Sequence, residues 1–427
     1  MSTYDFIKTE PVHGPAHRPQ SIEEVDVRKS ILEDLALKTL YLSGSLSILE
    51  LAEKTRLSFE VAQELSFRLR GELLCQVNGM SGNIPQIAIT SQGRTRAMDL
   101  LTQNHYTGPA PVSLVSYVEQ IRKQSVRKIE VHERDVKRAF AHLVIDNELL
   151  RQFGTALNSG SSIFLYGPPG VGKTTIAETL SRVIAEDAVW IPFAVEVDGE
   201  IITVYDPAIH TRIKDPENRS EDERWVLCQR PAILVGGELT AEMLDLQFNP
   251  TTKFYVAPAQ MKANNGVLII DDFGRQRLRP EELLNRWVVP LDRRIDFLTL
   301  AGGKKIEVPF EMLVVFASNM DPAELVDACF LRRIQTKIKI NTVSDAHFCE
   351  IFRRVAADNK LSFDADIPKD LINFIRGALK EDLRQCHPRD IVNQVLWAAR
   401  YEGKKPYLDH AAMKQAVEAY FLVRHKG

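Results

Sequence analysis

The stretch Gly167-Pro-Pro-Gly-Val-Gly-Lys-Thr-Thr175 constrains this chain more than any other. It follows an apolar run, Ile163 to Tyr166, and opens a helical pattern, IAETLSRVIA. A glycine loop between a strand and a helix closes backbone N–H groups around a phosphate, at the helix end where anions are favoured. Lys173 then places an ammonium beside the β and γ phosphates, and Thr174 offers a hydroxyl to Mg²⁺. Gly167, Pro168, Pro169, Gly170, Val171, Gly172, Lys173, Thr174 and Thr175 are therefore the candidate ATP-binding residues. A bare glycine turn needs neither the strand nor the helix.

Such a loop needs a second strand ending in an acid that holds the metal. Gly266-Val-Leu-Ile-Ile270 followed by Asp271-Asp272 provides it. Four consecutive apolar residues read as a strand buried on both faces of a parallel sheet. Asp271 falls at its carboxyl end, where ligands of open α/β sheets bind. Asp271 joins Thr174 as a candidate Mg²⁺ residue, and Asp272 is placed to orient the attacking water. A third buried run, Met312 to Ala317, ends in Ser318-Asn319.

With these motifs in order, residues 128–421 resemble an AAA+ ATPase module. The resemblance implies that Asn319 is the sensor-1 residue, that Arg332 or Arg333 in CFLRRIQTKI is the arginine finger, and that Arg389 in His387-Pro-Arg389 is the sensor-2 arginine of the lid. Asp272, Asn319, Arg332 and Arg333 are thus the expected catalytic set, with Arg389 added to the nucleotide contacts. One departure stands out: Asp272 occupies a position where most members carry glutamate, one methylene longer. The implied fold is α/β, a P-loop AAA+ parallel sheet with a C-terminal helical lid.

A length of 427 residues predicts two or three domains. Residues 1–25, with Pro11, Pro15, Pro19, His13 and His17 and no periodicity, read as a flexible tail. Residues 26–105 read as helix, helix, helix, hairpin and helix, the order of a winged helix. Residues 106–127, with Pro109 and Pro111, read as a linker; 128–340 as the nucleotide-binding domain; and 341–427 as the lid. A winged helix raises DNA as a partner. Residues 26–105, however, hold nine basic residues (Arg28, Lys29, Lys38, Lys54, Arg56, Arg68, Arg70, Arg94, Arg96) and nine acidic ones (Asp26, Glu33, Asp34, Glu50, Glu53, Glu60, Glu64, Glu72, Asp99). Net zero is a poor phosphate binder, so a protein target is favoured over nucleic acid.

Thr174 and Asp271 stand 97 positions apart, where roughly 45 suffice for the intervening elements. An insertion over about 195–255 is expected, opening with a hairpin at Asp198-Gly199 and running on through RPAILVGGEL. A second hairpin turns at Gly302-Gly303. An insertion followed by a hairpin before sensor 1 resembles the MoxR-like branch, which implies a hexameric ring that remodels a protein target. DDFGRQR departs from that branch's usual sequence. Lys253, Phe254 and Tyr255, beside a buried strand, read as core more readily than as pore residues, and Lys304 and Lys305 as a solvated turn.

A formal charge of −3 gives no reason to expect an acidic partner surface. No run of 18 apolar residues is present, so neither a membrane span nor a membrane partner is expected, and the default location is the cytoplasm. Five scattered cysteines, without a CxxC pair, read as reduced thiols.

Overall fold

The computed structural model describes residues 18–185, 187–213, 222–326 and 328–421. The chain forms two compact units. Among the described residues, one gathers those of 18–129, 184–268 and 276–314; the other gathers those of 130–183, 269–275 and 315–421. The expected single domain over 128–340 is therefore corrected, because most of its middle packs with the N-terminal residues.

The first unit opens with α1 (Lys29–Ser43), β1 (Ser45–Ser47), α2 (Ile48–Thr55), α3 (Phe59–Gly71), β2 (Cys75–Ser81), β3 (Ile84–Ile89) and α4 (Ser91–Gln103). Local chemistry sets these boundaries. Gly44 ends α1 at φ 80°, a backbone conformation glycine adopts without strain. Ser47 and Glu50 form a reciprocal capping box on α2, and the Ser58 hydroxyl accepts from Val61 N on α3. The strands order as β1-β3-β2.

Two expectations here are corrected. The tail does not reach residue 25: Ile22 and Val25 are buried in the core under these helices, and Ile22 N donates to Glu64 Oε2 at 2.9 Å. Residues 1–17 of the expected tail lie outside the described residues. Nor is 106–127 a linker. It forms β4 (Val112–Ser113) and α5 (Leu114–Lys123), whose Val112, Tyr117 and Ile121 are core. Two prolines and a polar surface disguised an amphipathic helix.

That core is built with the expected insertion. Strands β7 (Ala194–Val197) and β8 (Glu200–Thr203) form the hairpin at Asp198-Gly199. Both turn residues have positive φ, 54° and 94°, as such a tight turn demands. With β11 (Gln247–Asn249) and β12 (Phe254–Val256) they make a sheet ordered β11-β12-β8-β7-β4. A ribbon pairs β6 (Ala188–Pro192) with β9 (Trp225–Gln229). After the short α9 (Ala259–Lys262) and α10 (Pro280–Arg293) comes the second hairpin, β14 (Ile295–Thr299) with β15 (Lys305–Pro309). The two hairpins are joined by a Lys304–Asp198 ion pair. Arg224, 4% exposed at its side chain, pairs with Asp222 at 2.6 Å and with Asp26 at 2.8 Å, and donates to Pro111 O.

The site sheet orders its strands β10 (Ala232–Val235), β13 (Val267–Ile270), β16 (Leu313–Ser318), β5 (Ile163–Tyr166) and β17 (Thr336–Lys339). Both β16 and β17 run parallel to β5. The run AILV thus belongs to the edge of the site sheet and not to an insertion spanning 195–255. Close approach explains a glycine here: a Cβ on Gly266 would lie 2.0 Å from Pro231 O.

In the second unit, α6 (Glu133–Ala139) and α7 (Asn147–Ser159) precede β5, and α8 (Lys173–Ile184) follows the glycine loop. Short helices α11 (Pro322–Leu325) and α12 (Ala328–Leu331) lead from β16 to β17. The C-terminal region is helical, α13 (Asp345–Asp358), α14 (Ile367–Asn373), α15 (Cys386–Tyr401) and α16 (His410–Tyr420), around Phe348, Phe352, Ile375, Ile391 and Leu408.

Candidate functional site

The glycine loop leaves β5 and enters α8. Gly167, Gly170 and Gly172 have φ of 149°, 78° and 81°, conformations that side-chain-bearing residues rarely adopt. A Cβ on Gly167 would meet Ile340 O at 2.1 Å, whereas one on Gly172 would meet nothing within 4 Å. The loop is thus pressed against β17's exit on one side and open on the other. Val171 is buried, while Pro169 and Thr175 face solvent.

Lys173 is buried. Its ammonium donates to Gly167 O at 3.0 Å, to Pro168 O at 2.8 Å and to Asn319 Oδ1 at 2.7 Å. Burial pushes its pKa below the ordinary lysine value, Asp271 and Asp272 pull it back up, and Arg275 lowers it. Thr174 Oγ1 donates to Asp271 Oδ2 at 2.8 Å. A hydroxyl and a carboxylate side by side are the hard oxygen donors that Mg²⁺ takes alongside water. Together with the open loop and the buried cation, that donor set fits a magnesium-bound nucleoside triphosphate.

Asp272 sits at φ 49°, the left-handed region that aspartate tolerates better than most residues. Its Oδ1 accepts from Asn319 Nδ2 at 3.1 Å. The turn carrying it is fixed to β16: Phe273 N donates to Ala317 O at 2.8 Å, and Ser318 Oγ donates to Phe273 O at 2.6 Å. Asn319 therefore bridges Lys173 and Asp272, and the ends of β5, β13 and β16 converge on one place.

The arginines are placed differently. Arg332 is exposed. Arg333 is held: its backbone N donates to Phe330 O, its carbonyl accepts from Ser162 Oγ at 3.3 Å, and its guanidinium lies 5.8 Å from the Phe330 ring centre. Arg389, 64% exposed at its side chain, pairs with the adjacent Asp390 at 3.0 Å. The arginine that the structure brings to the glycine loop is Arg384, which the sequence reading passed over. Arg275 was also missed; it stands four residues after Asp271, and its charge reaches Lys173. The position of Arg275 in DDFGRQR was the available signal. Arg384 offered none, because its place depends on how the helical region folds back.

Tyr255 is buried and its hydroxyl accepts from Ala301 N at 2.8 Å, a core arrangement. Lys253 donates to Thr102 O. Cys75, Cys228, Cys349 and Cys386 are free thiols. Among the described residues, no helix is long and apolar enough to cross a membrane.

A family described as a domain of unknown function (DUF8689) matches residues 344–419. No curated protein matches the sequence. Among solved structures, NtrX of Brucella abortus, in complex with ADP, is similar with 13% identity and a TM-score of 0.40, over 65% of this chain and 56% of NtrX. A RuvB variant of Thermotoga maritima is similar with 13% identity and a TM-score of 0.37, over 69% of this chain and 72% of RuvB. Another Thermotoga maritima RuvB structure, described as a Holliday junction branch migration motor, is similar with 14% identity and a TM-score of 0.36, over 69% and 73%. The chain thus matches little more than half the length of NtrX.

Proposed function

We propose that this chain is an ATP-binding and ATP-hydrolysing motor of the AAA+ class. The observation that carries the reading is the convergence of three strand ends: Lys173 on Asn319, Asn319 on Asp272, and Thr174 on Asp271. In this reading the loop from Gly167 to Thr175 and the Lys173 ammonium hold the phosphates, and Thr174 and Asp271 hold Mg²⁺. Bound there, the ion neutralises charge that develops on the phosphates. Asp272 takes a proton from the attacking water, and Asn319 keeps the carboxylate aimed. Arg332 or Arg333 acts on the site of a neighbouring copy, and Arg389 belongs to the lid. The pocket is expected to bind ATP and ADP. Calorimetry tests this: Lys173→Ala should lose ATP binding, whereas Asp272→Asn should bind ATP and lose turnover by about 10²–10⁴-fold, the range for a general base. Micromolar ATP binding by Lys173→Ala would overturn the assignment.

The wider role is read as a ring-forming, MoxR-like remodeller whose winged-helix-like N-terminal residues dock a protein, in the cytoplasm. Charge supports a protein target over DNA. On α3, Arg68 is paired with Glu33 and Arg70 lies over Phe67 at 5.6 Å, so neither is presented as part of a basic face.

A further inference from the structure

The C-terminal helices carry a groove that the nucleotide site does not use. Helix α15 buries Ile391, Val392 and Val395, and α16 buries Met413, Ala416 and Val417. Along their outer edges the two helices and the turn joining them enclose a recess of about 570 Å³, inside the roughly 300–1,000 Å³ range of ligand-binding clefts. Trp397, Tyr401 and Tyr407 line it and are 59%, 94% and 46% exposed. Trp397 and Tyr401 stand four apart on α15 and so share one face. Ala398, Ala412 and Ala416 also line the recess; side chains this small let another backbone come close.

The turn gives the groove a fixed end. Gly403 at φ 66° reverses the chain, and Lys404 N donates to Ala399 O at 2.9 Å. The Tyr407 hydroxyl donates to Asp364 Oδ1 at 3.1 Å, and the adjacent Leu408 is core. Tyr407 is thus held before a partner arrives, which lowers the cost of ordering it on binding. Exposed apolar residues scattered singly need no explanation. Three exposed aromatic residues around one recess are a different matter, because Trp and Tyr are the side chains on which interface energy concentrates.

Length and charge identify the occupant. Helix α15 lines the recess from Gln394 to Tyr401, about 10 Å of helix, which matches apolar anchors spaced over two turns of a bound helix. Four charged side chains line it: Glu402, Lys404, Lys405 and Asp409. Glu402 is paired with Lys404 at 2.7 Å, and Asp409 Oδ1 accepts from Ala412 N at 2.8 Å as the cap of α16. Among the described residues, that leaves Lys405 as the lining charge without such a partner. One available cation neutralises too little phosphate to hold nucleic acid, but it suits a single carboxylate on a protein segment. The chain's own last residues, LVRHKG, bring further positive charge and match the groove poorly.

We propose that the groove between α15 and α16 docks an amphipathic helical segment of a partner protein, whose large apolar side chains lie between Trp397, Tyr401 and Tyr407 and whose carboxylate meets Lys405. This docking is separate from that of the N-terminal residues and does not depend on the nucleotide site.

A random library of displayed peptides, each about four helical turns long, is selected against the full-length chain, and the enriched peptides are synthesised and their affinities measured by fluorescence anisotropy. Enriched sequences should share apolar residues at i, i+4 and i+7 with one Asp or Glu. Trp397→Ala or Tyr401→Ala should weaken them by at least about tenfold, the scale of an aromatic anchor. Both side chains are exposed, and thermal melts check that the variants stay folded. Ala412→Trp fills the groove while keeping its aromatic rim, and should block binding as well. Lys405→Glu should weaken the acidic peptides and bind better those in which the acid is replaced by lysine. The proposal is overturned if no peptide is enriched, if the enriched peptides bind Trp397→Ala and Ala412→Trp like the parent, or if Lys405→Glu leaves the charge preference unchanged. Single-stranded oligonucleotide that binds the parent and is lost in Trp397→Ala would replace the protein partner with nucleic acid. A change of oligomeric state in Trp397→Ala would make this face a contact between copies of the chain.

Discussion

At the scale of single residues, the two neighbouring arginines after β16 differ in what holds them. Arg333 is engaged by Phe330 and Ser162, while Arg332 is exposed and open to a neighbouring copy. In the proposed ring, Arg332→Ala should cut phosphate release by about 10³-fold or more, the scale of an arginine acting on transferred phosphate. ATP affinity should stay near that of the parent. Mixing it with Lys173→Ala should restore partial activity, since some interfaces then pair an intact pocket with an intact arginine. If Arg333→Ala alone causes the loss, the assignment reverses; if neither does, both are structural. Asp272 was readable as an acid in the right place. Its left-handed backbone and its bond from Asn319 were not, because both arise from β13 and β16 ending side by side.

At the scale of elements, the N-terminal unit depends on contacts that no local pattern announces. Arg224 joins Asp26, Asp222 and the carbonyl of Pro111, with 198 positions between Arg224 and Asp26. Removing one member of a buried pair leaves the other charge unpaired, at a cost of about 3–5 kcal/mol. Arg224→Ala should therefore lower the urea midpoint markedly; a shift within the range of a surface substitution would show the network to be idle. Gly93 offers a second probe. A Cβ there would lie 2.0 Å from Leu74 O, so Gly93→Ala must shift α4 or the residues before β2. An overpacking cost of about 1–3 kcal/mol follows, and a melting temperature equal to the parent's would contradict it.

At the scale of the whole molecule, acid should act through His387. Burial first, and the Arg384 charge second, push its pKa from 6.5 to about 4. A histidine depressed in the folded state is protonated first in the unfolded chain, so stability is intact above pH 6.5 and falls between pH 6.5 and about 4. The shift corresponds to a loss on the order of 3 kcal/mol at most. Urea midpoints at several pH values should slope downward there, and His387→Gln should flatten the slope; an unchanged slope would assign the acid sensitivity elsewhere. Partner class is tested at the same scale. The full chain should bind duplex DNA no more tightly than about 10⁻⁴ M at physiological salt. Sub-micromolar, steeply salt-dependent binding would favour the DNA reading over protein remodelling.

The sequence by itself determined the elements whose cause is local. The strand, glycine loop and helix around Lys173, the buried run before Asp271, the capped helices α2 and α3 and the two hairpin turns are each written in a few adjacent residues. Only the tertiary structure decided what depends on distant partners. Val112–Lys123 became core and not linker because β4 found β7. Ala232–Val235 joined the site sheet because its neighbour is β13. Arg384 came to the glycine loop because Cys386, the first residue of α15, bonds Gly170. Local pattern specifies conformation, but burial and polar pairing between residues far apart in the chain decide which surfaces meet.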